Sequence, residues 1–336
     1  MKIWLPYIDT GSGANVFSEL LASELGALGH SVFMQRLPRQ ALFFPWLLRS
    51  AVPPRAVDAT ITTAHYAFAL RRSNNKLIAV EHHCVLDPAY APYRSLPQAV
   101  YHELMVRRFE KASMRAADAV VAVSRYTADS LHAALGGPRA HVILNGIETD
   151  FFCPGPEPKP PLEDRPARLL FVGNLIRRKG ADLLPRIMAA LGPAYKLRYT
   201  AGLRTNDPFA SAPGMFSLGR LTREQLRDEY RRADLLLFPT RFEGFGYAAA
   251  EAMACGTPVV TTNCSSLPEV VDDGVTGSLC NIDDVDDFAD TIKNLINNKE
   301  TLFNMTQKAR KVATERFSLK EMSQKYLDLL ETLAHN

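Results

Sequence analysis

Glu243 and Glu251 stand eight residues apart in the string EGFGYAAAE. Gly244 and Gly246 flank Phe245 just before a helical pattern, and glycine lets backbone approach a ligand closely. The free N–H groups at the start of that helix favour an anion such as a diphosphate. Glu251 lies four residues after Tyr247, so both point from one helical face. A carboxylate there suits two vicinal hydroxyls, as on a ribose. Glu243, on the loop before the helix, sits closer to whatever the phosphates carry. Either glutamate alone reads as an acid near a helix's positive end. The whole string, following a strand Leu235–Phe238 and Pro239, asks for more.

A second anion element is FVGNLIRRKG, residues 171–180. A strand ends at Gly173, and Arg177, Arg178 and Lys179 crowd the loop before the next helix. Cations at a strand's carboxyl end fit a phosphate clamp. Thr10-Gly-Ser-Gly-Ala14 follows the first strand but lacks the G-x-G-x-x-G spacing of a dinucleotide loop, because Phe17 and Ser18 follow where a glycine is wanted. No acidic residue ends the second strand, where Arg36 and Leu37 stand, so a nicotinamide enzyme ranks low. Val80-Glu-His-His-Cys84 invites a metal reading, yet His82 and His83, adjacent in extended chain, point in different directions. A polar histidine at a ligand cleft is the better reading. His65, in TTAHYAF, ends another first-half strand and faces the same choice between cleft and loop.

These residues need strands and helices to position them. The first half reads as strands at Ile3–Ile8, Ser31–Leu37, Val57–Ile61, Leu77–Val80, Ala119–Val123 and His141–Leu144. Between the first two, Val16, Leu20, Leu21, Leu25 and Leu28 share a helical face, with Gly29 as the stop. This β-α-β opening implies a parallel sheet. Residues 154–166 hold six prolines in thirteen positions and read as an extended linker. A second strand series follows: Arg168–Val172, Lys196–Thr200, Met215–Leu218, Leu235–Phe238 and Val259–Thr261. Its helices are Asp182–Leu191, Arg223–Arg232 and Tyr247–Ala254, and the chain from Asp283 is mostly helical. The expected architecture is α/β, with two doubly wound parallel-sheet, Rossmann-like domains facing across a cleft. Such sheets bind ligands at the carboxyl ends of their strands.

The bulk numbers agree. A chain of 336 residues allows about two domains. With 47% apolar and 22% charged residues it has the material for ordinary cores. A net charge of +3 gives no case for nucleic acid. Five cysteines, without a C-x-x-C pair, point away from a disulfide framework or zinc site and towards a reducing compartment. The N-terminal residues lack the apolar core of a signal peptide. The longest notable apolar run, LFFPWLL at 42–48, is far short of a membrane span. The expected location is cytoplasmic, with a peripheral seat on the inner face of the membrane.

The chain resembles retaining GT-B glycosyltransferases of family 4, the glycosyl transferases group 1. GSGANVFSELLASELGALGHSV is similar to the family's first glycine loop and helix, and VILNGIETDFFCP to the segment leading to the hinge. LLFVGNLIRRKG, the block from FSLGR to ACGTPVV, and LPEVVDDGVTG resemble the nucleotide-sugar domain. The resemblance implies an N-terminal acceptor domain over 1–154, a nucleotide-sugar domain over 155–319, and a C-terminal helix at about 320–336 packing back onto the first. It assigns His82 and Glu243 to catalysis: His82 near the reacting carbon of the donor sugar, Glu243 on the transferred sugar. Glu251 is similar to the ribose-binding glutamate. The backbone of Phe245, Gly246 and Tyr247 holds sugar and diphosphate, Arg178 and Lys179 neutralise the departing diphosphate, Gly13 lies against the donor phosphate, and the neighbourhood of Leu218 holds the base. Ser12, His65 and His83 are acceptor-side candidates. Two departures matter. Asn174 stands where the family often has arginine, and Ser12 replaces the first glycine of the usual pair.

The implied reaction moves a hexose from a UDP- or GDP-sugar to a glycan or lipid-linked acceptor with retention, in bacterial surface polysaccharide or glycolipid assembly. No D-x-D motif stands at a strand end, so the expected chemistry needs no metal or other cofactor, the nucleotide sugar being a co-substrate. Between Arg36 and Arg72 six arginines face one acid, net +5, and LFFPWLL lies within. Arg94 to Arg115 adds five cations against two acids, net +3, on a helix. That pattern fits an anionic membrane surface, as opposed to a loop packed on the core beneath a solvated basic face. The alternatives are a nucleotide-sugar epimerase of the same fold and a non-catalytic nucleotide-sugar-binding protein.

Overall fold

The computed structural model describes residues 1–11, 13–157, 160–201 and 212–335. The chain forms two compact units, Met1–Gly146 with Leu319–Asn336, and Ile147–Ser318. Each is built on a six-stranded, wholly parallel sheet.

In the first unit β1 (Lys2–Ile8) leads through α1 (Gly13–Ala27) to β2 (Ser31–Leu37), β3 (Ala59–Thr63) and β4 (Lys76–Glu81). Then come α2 (Leu96–Tyr101), α3 (Arg107–Ala116), β5 (Ala119–Ala122), α4 (Arg125–Leu135) and β6 (His141–Val142). The order β2-β1-β3-β4-β5-β6 reverses direction at β1 and β3. β4 is buried along Leu77–Val80, as a sheet covered on both faces requires. β3 starts two residues later than the aliphatic run implied. Asp58 serves as its lead-in: Asp58 N–H donates to Lys2 O (2.8 Å), and its carboxylate accepts from Lys2 N–H (2.7 Å). The buried stripe of α1 is Phe17, Leu21 and Leu25, whereas Val16 and Leu28 are exposed. The stripe is turned about one position from the expected face because Phe17 meets Tyr326 of the C-terminal helix Leu319–His335, ring centroids 5.8 Å apart.

The second unit runs β7 (Ala167–Phe171), α5 (Leu184–Leu191), β8 (Tyr195–Tyr199), β9 (Met215–Ser217), α6 (Arg223–Arg232), β10 (Leu235–Phe238), α7 (Tyr247–Ala254), β11 (Val259–Thr262), α8 (Leu267–Val270), β12 (Gly277–Cys280), α9 (Val285–Asn297) and α10 (Lys299–Arg316). Its order, β12-β11-β10-β7-β8-β9, reverses between β7 and β10. Phe171, Leu235, Leu237, Val260, Ile187 and Phe288 form its core. β12, four residues with no apolar alternation, carries no sequence signal and was not expected.

The division between units falls at Gly146 and Ile147, not at 154 and 155. Residues 147–153 are tied to the second unit. Ile147 N–H donates to Phe317 O (2.7 Å), Arg310 Nη1 donates to Thr149 O and Phe152 O (2.8 and 3.0 Å), and Arg231 Nε donates to Cys153 O (2.7 Å). Among the described residues no helix is long and apolar enough to cross a membrane.

Candidate functional site

The reversal between β7 and β10 opens a crevice at their carboxyl ends, where a ligand of such a sheet is held. After β7 the chain makes a tight turn over Arg177–Lys179, closed by Gly180 at φ 70°. A side chain at Gly180 would put its Cβ 1.9 Å from Pro239 O, so only glycine lets this basic loop lie against the end of β10. The loops are then stitched together. Arg241 N–H donates to Arg178 O (2.8 Å), and Arg178 Nη1 donates to Phe242 O (2.7 Å). Arg241 is buried and spans Asp182 (2.6 and 2.9 Å) and Asp283. Burial works against its charge, but the two carboxylates outweigh that and raise its pKa. Arg241 is a strut the sequence reading missed, although it lies inside the string read as functional.

Lys179 stands over the Phe238 ring, its Nζ 5.4 Å from the centroid, and forms an ion pair with Glu243. Thr240 Oγ1–H donates to the same Glu243 oxygen (2.9 Å). Burial would raise the Glu243 carboxyl, but the Lys179 and Arg178 charges outweigh it and hold the group below its ordinary value. Burial lowers Lys179, partly opposed by Glu243. Glu243 N–H donates to Ser265 Oγ (3.0 Å), and Ser266 Oγ lies 3.2 Å from Glu243 O and 3.0 Å from Phe245 O. These serines fix the backbone of the glycine loop. Gly246, at φ 106°, enters α7 with no side-chain cap, and no acid sits in its first turn. Glu251, one turn on from Tyr247, accepts a hydrogen bond from Tyr230 Oη (2.9 Å), and burial pushes its carboxyl up to about 7.

A groove of about 320 Å³ lies beside this constellation, lined among others by Gly173, Asn174, Lys179, Thr200, Gly219 and Arg220. Leu218 pairs its N–H with Tyr199 O (2.8 Å), while its neighbours Gly219 and Arg220 face the groove. Arg220 is a further cation here, legible in FSLGR but not singled out. The structure thus brings Arg178, Lys179, Glu243, Phe245, Gly246, Tyr247 and Glu251 onto one edge of the second unit.

Gly13, His65, His82 and His83 belong to the first unit, and Ser12 lies outside the described residues. Gly13 opens α1 after a turn organised by Asn15, whose Oδ1 accepts from the N–H and hydroxyl of Thr10 (both 3.0 Å). His82, just past β4, sits edge-on to Phe17 (5.1 Å), and burial with the neighbouring His83 drops its pKa to about 3, so the ring is neutral. His83 is exposed, its ring 6.0 Å from Tyr90. His65 Nε2 lies 2.7 Å from Leu42 O, and its pKa is lowered by burial. All three histidines line a cavity of about 330 Å³. Among the described residues no group of three or more His, Cys, Asp and Glu could hold a metal ion.

The cationic stretch is less available than its count implied. Arg36 pairs with Asp9 (2.8 Å) and Arg71 with Asp118, while Arg39 donates to Asp9 O (2.8 Å) and Arg72 to Arg49 O (3.0 Å) and Ala51 O (2.5 Å). Arg49 and Arg55 remain exposed. Phe43, Phe44, Trp46 and Leu47 of the LFFPWLL run are exposed, while Pro45 and Leu48 anchor it. Leu96, Val100 and Leu104, at helical spacing, are exposed too, and Tyr101 Oη–H donates to Leu42 O (2.7 Å) between the two groups.

Two family models match the chain: Glycosyltransferase Family 4 over residues 29–151, and Glycosyl transferases group 1 over residues 166–298. A D-inositol 3-phosphate glycosyltransferase of Mycolicibacterium smegmatis is 34% identical over 176 residues, 47% of this chain and 40% of that protein. The alpha-maltose-1-phosphate synthase of the same organism is 28% identical over 250 residues, 66% of this chain and 64% of that protein. Each match therefore spans less than two thirds of the relative. Among solved structures, sucrose-phosphate synthase from Thermosynechococcus elongatus superposes with a TM-score of 0.82 at 20% identity, covering 100% and 99% of the two chains. Anabaena HepE in complex with UDP-glucose gives 0.77 at 18%, covering 99% and 100%. At these identities the likeness establishes the fold, which is GT-B.

Proposed function

The chain belongs to the family 4 glycosyltransferases of group 1, and from that premise we propose that it moves a hexose from a UDP- or GDP-sugar to a glycan or lipid-linked acceptor with retention of configuration. The observation that carries the reading is the Lys179–Glu243 pair at the strand reversal of the second unit, beside the uncapped start of α7. In this reading the diphosphate takes the place of Glu243 as the principal partner of Lys179. Lys179, Arg178 and the α7 amides then stabilise the negative charge that grows as the sugar–phosphate bond breaks. Glu243, released from Lys179, keeps its bond to Thr240 and orients hydroxyls of the transferred sugar. Glu251 binds the ribose, and Arg220 and Gly219 flank the base.

Retention follows if the acceptor oxygen attacks the face the phosphate leaves, with the departing phosphate oxygen taking the acceptor proton. Neutral His82 suits a hydrogen bond to the sugar and not proton transfer. The charge on the leaving group is met by side chains, so no metal is required, and EDTA is expected to leave the rate unchanged. Exposed Phe43, Phe44, Trp46 and Leu47 support a peripheral seat on an anionic membrane at the cytoplasmic face, and with it a role in bacterial surface polysaccharide or glycolipid assembly.

The test is direct. UDP or GDP at 100 times its dissociation constant stabilises the fold by ~2.7 kcal/mol, which a thermal shift detects. A chain whose melting temperature moves with neither nucleotide is not this enzyme. Incubation with a nucleotide sugar and no acceptor separates the epimerase alternative, which alone would convert the donor.

A further inference from the structure

We propose that the cavity at the carboxyl edge of the first unit's sheet holds the acceptor as an uncharged, hydroxyl-rich group, and that Glu81 and Glu110 select it over a phosphorylated one. This rests on the reading of the chain as a glycosyltransferase with its acceptor in the first unit. The cavity lies where β1, β3 and β4 end, beside the reversal of strand order, and its lining includes Thr10, Thr63 and Glu81 from those ends. At about 330 Å³ it sits at the small end of ligand sites and suits one ring.

Two carboxyls reach it from separate elements. Glu81 closes β4 and is 5% exposed, and Glu110 on α3 is 3% exposed. Each has one buried oxygen, Oε2, without a hydrogen-bond partner, and so has Nδ1 of His102 in the same lining. A buried polar group left unpaired costs ~1–3 kcal/mol. Three around one cavity amount to an unmet demand that ligand hydroxyls, which both donate and accept, can satisfy.

The charge of the site decides the ligand class. Among the described residues no arginine or lysine lines the cavity. Arg107, whose charge acts on Glu110, is itself bound to Glu103 (2.7 Å) and Ala134 O (2.6 Å). A phosphate would meet two carboxyls and, among the described residues, no arginine or lysine of the lining. Burial keeps the carboxyls protonated, Glu81 with its pKa raised to about 8 and Glu110 well above the ordinary range, while His65, His82 and His102 are held towards the neutral form. These five groups are uncharged, with donors and acceptors both available. Leu42, Phe43, Val85 and Val106 are among the apolar residues of the lining and suit the apolar face of a sugar ring.

The experiment uses the full chain and ligand-observed saturation-transfer NMR. The probes are methyl α-glucoside, methyl α-mannoside and myo-inositol, against glucose 6-phosphate and myo-inositol 1-phosphate. At least one neutral probe is expected to bind, and its phosphate at least about tenfold more weakly. Glu81→Met and Glu110→Leu, which keep volume but remove the polar atoms, are expected to weaken neutral binding about tenfold without lowering the melting temperature. Equal or tighter phosphate binding overturns the proposal, as does no transfer to any neutral probe, or full binding in both variants. Should either apolar variant melt early, Glu110→Gln decides. It keeps the donor and acceptor of a protonated carboxyl, so the proposal requires neutral binding to survive in it and to fall in the apolar variant, both read below that variant's melting temperature, and equal binding in the two overturns it. UDP and GDP thermal shifts, read in parallel, judge the transferase reading separately from the cavity.

Discussion

Lys179 and Glu243 are 64 residues apart in sequence and joined in the fold. Each was legible as a chemical group, one in a basic loop and the other in a glycine string, but their pairing was not, because only the β7–β10 register brings the two loops together. The pairing sharpens the mutational expectation. Glu243→Ala leaves Lys179 without its anion, so affinity for UDP or GDP is expected to hold or tighten while transfer falls ~10²–10³-fold. Isothermal titration and initial rates separate the two, and turnover equal to wild type removes Glu243 from the reaction. Glu81 supplies a pH test. Its folded-state pKa of about 8 lies above the unfolded carboxylate value, so the folded chain binds more protons. Its contribution to stability is full below ~pH 4 and is lost as pH rises through 8. The melting temperature of Glu81→Gln relative to wild type is therefore expected to climb between pH 5 and pH 8. A flat difference would mean that Glu81 ionises normally. Glu110 was invisible to sequence reasoning, since an acid on a basic helix reads as a surface residue until α3 is seen to turn it inward.

At the scale of elements, most strands could be read to within two residues because buried parallel strands are plain aliphatic runs. β12 could not, being four residues of GSLC at a sheet edge. The α1 stripe was set one position off because periodicity gives a face but not the neighbour that claims it, here Tyr326. Gly180 gives the element-scale prediction. Gly180→Ala is expected to cost at least ~2 kcal/mol, from its positive φ and from the clash with Pro239 O, and to weaken nucleotide binding by moving the basic loop. Gly192, at φ 81° and ψ −171° in a region open essentially to glycine, has open space around it, so Gly192→Ala reports the backbone term alone, about 1–3 kcal/mol, with nucleotide affinity unchanged. The same scale holds the membrane prediction. Phe44→Ser with Trp46→Ser is expected to abolish co-sedimentation with anionic vesicles at low salt while leaving turnover of a water-soluble acceptor intact. Wild-type chain that stays in the supernatant removes the membrane seat.

For the whole molecule, two Rossmann-like sheets could be read from the alternation of strands and helices. The proline-rich segment misplaced their border by eight residues, 146 against 154, because prolines mark where helices cannot run and not where tertiary contacts change hands. The C-terminal helix matters more than its length implies. Met322, Tyr326, Leu329 and Leu330 are buried in the first unit. A stop codon before Leu319 is expected to expose Phe17 and Leu21 and to unfold the first unit while the second keeps its own melting transition, two transitions becoming one in calorimetry.

The pairing of Ile147 with Ser318 carries a consequence for how the gene can be cut. The chain enters the second unit and leaves it through two segments joined by a single bridge, Ile147 beside Ser318. In genetic terms the second unit is an insert, spliced into the first unit just ahead of its last helix. Such an insert can be lifted out as residues 147–318, and the flanks rejoined by a short linker across the gap. A single break, by contrast, yields two fragments of which one always lacks a piece of its own core.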